Sequence, residues 1–394
     1  MTIKVTDLDM PKTQAHMFPS EITKYEQVEK NLEISKSSWI ASFDFGYAIY
    51  FQDDIRKMLS DKRWHNALAF YAGLNTPENV EDANFYKKRR MNILINMEGD
   101  DHFRLKSLVA PTFQLKNISY LKPFIHEITN SMLDNVLKNN EFDIQQELFK
   151  NLPVYILCEL TGLPAKDIDI LNVWTDAAFS TFTLKTKDEI NDMRRQQKEI
   201  DDYVLGLIED RRINPKNDLI TKLIEAEESG GKLNNEEIVM LIEAIISSGI
   251  DTTRNQLGLC LSYFGRHPDK WSEAIEDADS MNKSIEEAMA FDGVVRNVGR
   301  FASEDIIYKD ILFPKGTLIV PSLAVANMTE PDRPPLTFGV GIHYCLGAAL
   351  ARFEIQEIFS ILAKRIPNFK IKNIEHRPTT QTIWGINSMT VEVG

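Results

Sequence analysis

Cysteine is scarce: the 394 residues hold three, Cys158, Cys260 and Cys345, each far from the others. No pair has the spacing of a structural zinc site, and so few thiols cannot build the disulfide framework of a secreted scaffold. They indicate a reducing compartment, which makes the cytoplasm the expected location. Long apolar runs are missing too, and none reaches the length that spans a membrane. Met1 to Ser20 carries Lys4, Asp7, Asp9, Pro11 and Lys12 where a signal peptide would be apolar. Neither a leader nor a membrane partner is therefore expected. The chain also lacks Pro/Gly/Ser-rich linkers, low-complexity tracts and repeats, so one domain over residues 1–394 is expected. Positive charge is in deficit, 45 Lys and Arg against 58 Asp and Glu, for a net charge of -13 and a pI near 5.2. That balance disfavours nucleic acid as a partner, and the run Lys87-Lys88-Arg89-Arg90 reads as solvated surface. No Gly-Lys-Ser/Thr phosphate loop occurs.

What is present is enough apolar residue, 43%, to bury a sizeable core. Residues 20–65 hold short alternating segments, Trp39 to Phe43 and Ala48 to Phe51, which read as a few minor strands. Ala67 to Met97 has no clean period and contains Gly73, Asn75, Pro77 and Asn79, so a long irregular segment is expected there. Asp100 to Val109 reads as a helix with aspartate at its start, and His102 and Lys106, four apart, share one face of it. From Leu121 to Glu227 the apolar period is helical almost throughout, with breaks at Gly162-Leu163-Pro164 and Asn214-Pro215. A mainly α fold follows.

A helix beginning at Asn235-Glu236-Glu237 continues Ile238 to Ile246 with apolar residues on nearly every face, as a buried central helix would. Inside it lies Ser248-Gly249-Ile250-Asp251-Thr252-Thr253. Glycine and paired β-branched threonines disfavour a helix interior, glycine by about 1 kcal/mol. A local opening of the helix beside a ligand would explain them; a tolerated kink would as well.

Near the C-terminus, Phe338-Gly339-Val340-Gly341-Ile342-His343-Tyr344-Cys345-Leu346-Gly347 sets a single cysteine in a glycine-studded loop directly before an apolar helical pattern starting at Ala349. A helix N-terminus favours a sulfur anion through its dipole and free N–H groups. Gly339, Gly341 and Gly347 would let the backbone turn and approach something flat. The third glycine of a dinucleotide loop is absent. On these residues alone, a metal-bound thiolate and a small buried hydrophobe both remain open.

The pattern Phe-Gly-x-Gly-x-His-x-Cys-x-Gly resembles the haem-thiolate loop of the cytochrome P450 family, whose cysteine ligates the haem iron. The resemblance covers roughly residues 90–394. It implies that fold: a single, mainly α domain with small β-sheets and haem b (iron protoporphyrin IX) between the central helix and the cysteine-loop helix. It implies Cys345 as the metal ligand and Phe338, Gly339, His343 and Gly347 as cofactor contacts. The stretch 248–253 is similar to the family's oxygen-binding helix, with Asp251 and Thr252 delivering protons and Gly249 leaving room for O2. His102 and Lys106 occupy the place of a His-x-x-x-Arg pair that holds a propionate, and Arg300 the place of another propionate ligand. Leu74, Phe85, Ile95, Val294, Val295, Ile386 and Met389, with Phe179, Phe182 and Leu184 as a roof, fall where substrate contacts are usual, although core burial serves most of them as well. The implied reaction is hydroxylation or epoxidation of a small, mostly apolar substrate with O2, the electrons coming from an external ferredoxin or flavodoxin. An acidic donor of that kind would dock against Arg104, Lys106, Arg352 and Lys364. The other readings are a peroxide-driven peroxygenase, which would tend to lose the distal acid and threonine, and an impaired P450-like partner protein.

One motif departs from the family. Glu287 matches the glutamate of Glu-x-x-Arg, but Ala290 stands where arginine is usual, and the segment Asn327 to Pro335 before Phe338 is short. A buried carboxylate without its partner costs several kcal/mol. Arg333 is expected to pair with Glu287 instead.

Overall fold

The computed structural model describes residues 2–13, 24–67, 93–180, 186–230, 233–377 and 383–394. Short apolar alternations at the N-terminus pair into sheets with strands from far along the chain. Strand β1 (Ile3–Lys4) is followed by helix α1 (Lys24–Ser35), β2 (Ile40–Phe43), β3 (Gly46–Ile49), α2 (Gln52–Ser60) and β4 (Trp64–Asn66). Helices then dominate: α3 (Gly99–Val109), α4 (Lys122–Val136), a short β5 (Glu141–Asp143), α5 (Leu152–Thr161), α6 (Ile168–Ser180), α7 (Lys187–Ile213) and α8 (Leu219–Glu228). The second half comprises α9 (Asn235–Arg266), α10 (Pro268–Ala274), α11 (Ala278–Phe291), β6 (Arg300–Ala302), β7 (Ile306–Tyr308), β8 (Ile311–Phe313), β9 (Leu318–Pro321), α12 (Leu323–Thr329), α13 (Ala348–Arg365), β10 (Phe369–His376) and β11 (Ile386–Val393).

The strands form three small sheets, ordered β2-β3-β9-β6-β4, β1-β8-β7 and β10-β11-β5. In the largest, Arg300 of β6 lies opposite Asn66 of β4 and Ile319 of β9, which fixes the arginine on a strand paired on both sides. The mainly α expectation with minor β-sheets therefore holds, and the few short N-terminal strands expected over 20–65 are β2, β3 and β4.

The main core collects around α9, whose Ile238, Leu241, Ile242, Ile246, Ile250 and Leu257 are all buried. Asn234 caps that helix: its side chain accepts from the Glu237 N–H while Glu237 reaches back to the Asn234 N–H, satisfying two end groups. α9 packs against α5, α6, α11 and α13 and so runs through the interior rather than along a surface.

No opening of α9 occurs at 248–253; the helix is continuous. The hydroxyls are absorbed by bonding back instead, Thr252 Oγ1 to the Ser248 carbonyl at 2.6 Å and Ser248 Oγ to the Ala244 carbonyl. Leu74, Phe85, Phe182 and Leu184 lie outside the described residues, as does the side chain of Phe179. Of the other pocket candidates, Val294, Ile386 and Met389 are buried in the core and Ile95 is exposed.

Candidate haem site

The Cys345 loop is built from its glycines. Gly339 and Gly341 have φ of 68° and 75°, in the left-handed region that glycine adopts without strain. At Gly341 a Cβ would stand 2.4 Å from the Leu59 carbonyl oxygen, so α2 can approach the loop only because no side chain is there. Cys345 donates its N–H to the Phe338 carbonyl at 3.0 Å, closing the turn, and Gly347 is the N-cap of α13. Cys345 is exposed, although protein atoms crowd its thiol on most sides. Burial pushes its pKa up, while a hydrogen bond from the Gly347 N–H and the charges of Lys106 and Arg352 draw it back.

No carboxylate of a described residue pairs with Lys106. Its ammonium donates to the Ile342 carbonyl at 2.6 Å and the Tyr344 carbonyl at 3.0 Å, pinning the two peptide groups just before the cysteine. Burial lowers its pKa, opposed by Cys345. His102, one turn earlier on α3, is buried and faces His343 with ring centroids 5.0 Å apart. Its pKa falls to about 4, first from burial and then from repulsion by His343 and Lys106. His343 Nε2 is buried without a hydrogen-bond partner, 3.8 Å from Glu98 Oε1. Against the cost of burial, His343, the Asn66 N–H and His65 hold Glu98 below the usual carboxylate range. Arg300 is buried with its guanidinium on the Gly299 carbonyl at 2.7 Å, and no carboxylate of a described residue pairs with it. Burial lowers its pKa to about 10, opposed by Glu98.

A buried arginine lacking an anion and an orphaned imidazole nitrogen are unsatisfied charge and hydrogen-bonding capacity. A carboxylate-bearing group seated between His102, His343 and Arg300, with iron on Cys345, would satisfy both. The residues therefore fit haem.

On α9, Thr252 is part-exposed and Ser248 exposed, whereas Ile250, Asp251 and Thr253 are buried. A methyl at Gly249 would stand 3.5 Å from the Leu157 side chain, an ordinary contact with α5. Asp251 is fully buried and ringed by donors: Arg254 at 2.6 and 2.8 Å, Asn255 at 3.0 Å, and Arg377 of the segment after β10 at 2.8 and 2.9 Å. Those partners escaped the sequence reading. Arg254, three residues after Asp251, was within reach of a helical-spacing argument; Arg377, 126 residues away, carried no signal.

The expected Arg333–Glu287 pair does not form. Arg333 binds Asp53 at 2.6 Å and Glu330 at 2.9 Å. Glu287 lies on the outer side of α11, 42% exposed, and accepts from Tyr263 Oη at 2.9 Å with Lys270 at 3.4 Å. It is hydrated, so the missing arginine leaves no buried orphan. Asp292, just after α11, is by contrast a fully enclosed carboxylate, bound by Arg266 at 2.5 Å, by Arg296 and by Tyr25 Oη at 3.0 Å.

The cations expected to greet an acidic donor are largely engaged. Arg104 pairs with Glu237 at 2.6 Å and with Asp101, and Arg352 pairs with Glu286 at 2.5 Å while stacking on Phe338. Lys106 is turned onto the loop, and Lys364 is exposed. No helix among the described residues is long and apolar enough to cross a membrane.

A family model described as cytochrome P450 matches residues 175–331. The chain is 33% identical over 285 residues to the polyketide biosynthesis cytochrome P450 PksS of Bacillus subtilis, covering 69% of each chain. It is 30% identical over 321 residues to the vitamin D(3) 25-hydroxylase of Pseudonocardia autotrophica, covering 77% of this chain and 78% of that one. Among solved structures, PksS superposes with a TM-score of 0.80 at 27% identity, covering 93% of this chain and 96% of that one. P450BioI in complex with an acyl carrier protein superposes at 0.83 and 20% identity, covering 94% of this chain and 100% of that one. With the cysteine loop, the distal helix and these relatives in agreement, the chain belongs to the cytochrome P450 family and is a haem-dependent monooxygenase that uses O2 and a redox partner.

Proposed function

We propose that the protein inserts one oxygen atom of O2 into a C–H or C=C bond of a small, mostly apolar organic molecule, holding haem b through Cys345 and drawing electrons from a ferredoxin or flavodoxin. The observation that carries this reading is the Cys345 loop beside the unsatisfied cluster of His102, His343 and Arg300. When bound, haem with a thiolate ligand supplies O–O cleavage chemistry. Cys345 would be the iron ligand, the Gly347 N–H and the charges of Lys106 and Arg352 favouring its thiolate against the burial that raises its pKa. Arg300, His102 and His343 would hold the propionates, while Lys106 positions the loop through the Ile342 and Tyr344 carbonyls. Phe338 packs under the Arg352 guanidinium at 4.3 Å and walls the cysteine side.

On the distal side Thr252 holds a hydroxyl whose proton is committed to the Ser248 carbonyl, leaving its oxygen lone pairs as acceptors. Asp251 is the acid that passes protons toward that hydroxyl through ordered water, and Gly249 would leave room for O2 on that turn. Retention of Asp251 and Thr252 disfavours the peroxygenase reading. The hydrated position of Glu287 removes the main support for an impaired protein. The relatives support an apolar substrate: one is named a vitamin D(3) hydroxylase and another was solved with a hexadecenoyl-loaded acyl carrier protein.

Carbon monoxide difference spectroscopy of the reduced protein tests the reading. A band at about 450 nm is expected, and its loss in Cys345→Ser. An unchanged band in that variant refutes the assignment of the ligand.

A further inference from the structure

Asp251 binds its neighbours unevenly. Its Oδ1 accepts hydrogen bonds from Arg254 Nε and Asn255 Nδ2, with Arg254 Nη2 and Arg377 Nη2 at ion-pair distance. Its Oδ2 accepts, among the described residues, from Arg377 Nη1 alone, at 2.9 Å. A carboxylate oxygen has room for two donors, so Oδ1 is saturated and Oδ2 is the atom still able to carry a proton. Arg254 rides on α9 with Asp251 and moves with it. Arg377 comes from the start of the turn between β10 and β11, so its hold depends on where that hairpin sits.

The hairpin mouth is seated on the same turn of α9. Arg377 donates its N–H to the Gly385 carbonyl at 3.0 Å, and Ile386 donates its N–H to Asn255 Oδ1 at 3.2 Å. Asn255 in turn donates to the Asp251 carbonyl at 2.7 Å. A Cβ at Gly385 would stand 2.0 Å from Asn255 Oδ1, so glycine is what lets the strand come this close. The fork of Arg377 on both carboxylate oxygens is the geometry in which a guanidinium fixes orientation as well as charge.

From this geometry we infer that Arg377 is a positioning residue for Asp251: the C-terminal hairpin, through Arg377 and the Gly385 seat on Asn255, sets whether Oδ2 is held or released to pass a proton. The step is a transfer only: Oδ2 takes a proton from water and yields it to the Thr252 hydroxyl network, with no change of charge over the cycle. The inference rests on the reading of Asp251 as the distal acid.

The test uses the holoenzyme carrying Arg377→Ala, Arg377→Lys, Asp251→Asn, Gly385→Ala and the double variant Arg377→Ala/Asp251→Asn, each first checked for its carbon monoxide band. One readout is the urea unfolding midpoint, where the two single changes must be non-additive if the pair exists. The other is NADPH-driven O2 consumption in H2O and D2O, with a plant-type ferredoxin and its reductase as donor. Arg377→Ala is expected to slow O2 use at least about tenfold and to raise the solvent isotope effect, since a misplaced group costs on this scale. Arg377→Lys recovers part of the rate, Gly385→Ala moves in the direction of Arg377→Ala, and in the Asp251→Asn background Arg377→Ala adds nothing. Additive effects, or an unchanged isotope effect in Arg377→Ala beside a slowed Asp251→Asn, overturn the positioning role alone. A wild-type rate and isotope effect in Asp251→Asn overturn the acid reading and this inference with it. If Arg377→Ala does not fold, Arg377→Lys and Gly385→Ala decide on the same readouts.

Discussion

The displaced brace behind the cysteine loop makes a sharp prediction. In the family pattern the glutamate of Glu-x-x-Arg is the residue whose loss should collapse this region; here the enclosed carboxylate just after α11 is Asp292. Asp292→Asn keeps the shape of the side chain but removes the charge that Arg296, 7% exposed, and Arg266, 39% exposed, bind. Breaking a buried pair costs about 3–5 kcal/mol, and the partial exposure of Arg266 places this case near the lower end, about 3 kcal/mol. Tyr25 Oη and the cation-π contacts of Arg296 with Tyr25 and Trp384, at 4.9 and 4.5 Å, would lose their common anchor as well. An unfolding entropy of about 2.1 cal/mol/K per residue over 394 residues gives roughly 0.8 kcal/mol/K, so Tm falls by about 4 °C. Glu287→Gln removes a charge that is 42% exposed and faces Lys270 at 3.4 Å, which costs less than about 1 kcal/mol, or about 1 °C. The assay is paired: calorimetric Tm and haem-to-protein ratio for both variants. Glu287→Gln matching or exceeding Asp292→Asn in either readout refutes the reasoning.

Two other outcomes follow from the site. Gly341→Ala should cost more than about 2 kcal/mol and release haem, because φ of 75° is strained for alanine and the methyl meets the Leu59 carbonyl at 2.4 Å; Gly339→Ala, whose methyl meets nothing closer than 3.9 Å, should cost visibly less in the same urea titration. In the haem-free chain His102 stays neutral down to about 4 while the unfolded chain protonates it near its ordinary 6.5. The unfolded state then binds more protons, and stability is lost as pH falls from 6.5 toward 4. Unfolding midpoints across that window should flatten in His102→Ala and, because a propionate favours the imidazolium, in the haem-loaded protein.

Local pattern carried much of this protein. The helical period from Leu121 onward, the buried central helix and the glycine-cysteine loop are properties of neighbouring residues, and the chain folds them as their spacing dictates. Cys345 stood out as a lone cysteine in a glycine loop before a helix, but it was the resemblance of the whole ten-residue pattern to a family motif that set the thiolate reading above a buried hydrophobe. Ser248 to Thr253 was legible as an anomaly but not in its form, since whether a threonine hydroxyl opens a helix or bonds back to it depends on what surrounds it.

Side-chain partners across long separations were not legible. Charge count and spacing put Lys106 with His102 on one helix face, but the position of the 338–347 loop turned Lys106 onto two peptide carbonyls instead. The missing arginine at Ala290 made Glu287 look like a buried orphan; the rotation of α11 placed it in water and enclosed Asp292. The sequence alone thus indicated most of the elements, through periodicity and turn chemistry, and singled out Cys345 through one motif resemblance. Only the tertiary structure decided which carboxylates are buried and which cations answer them, because burial and pairing arise where distant segments meet, as Arg377 meets Asp251.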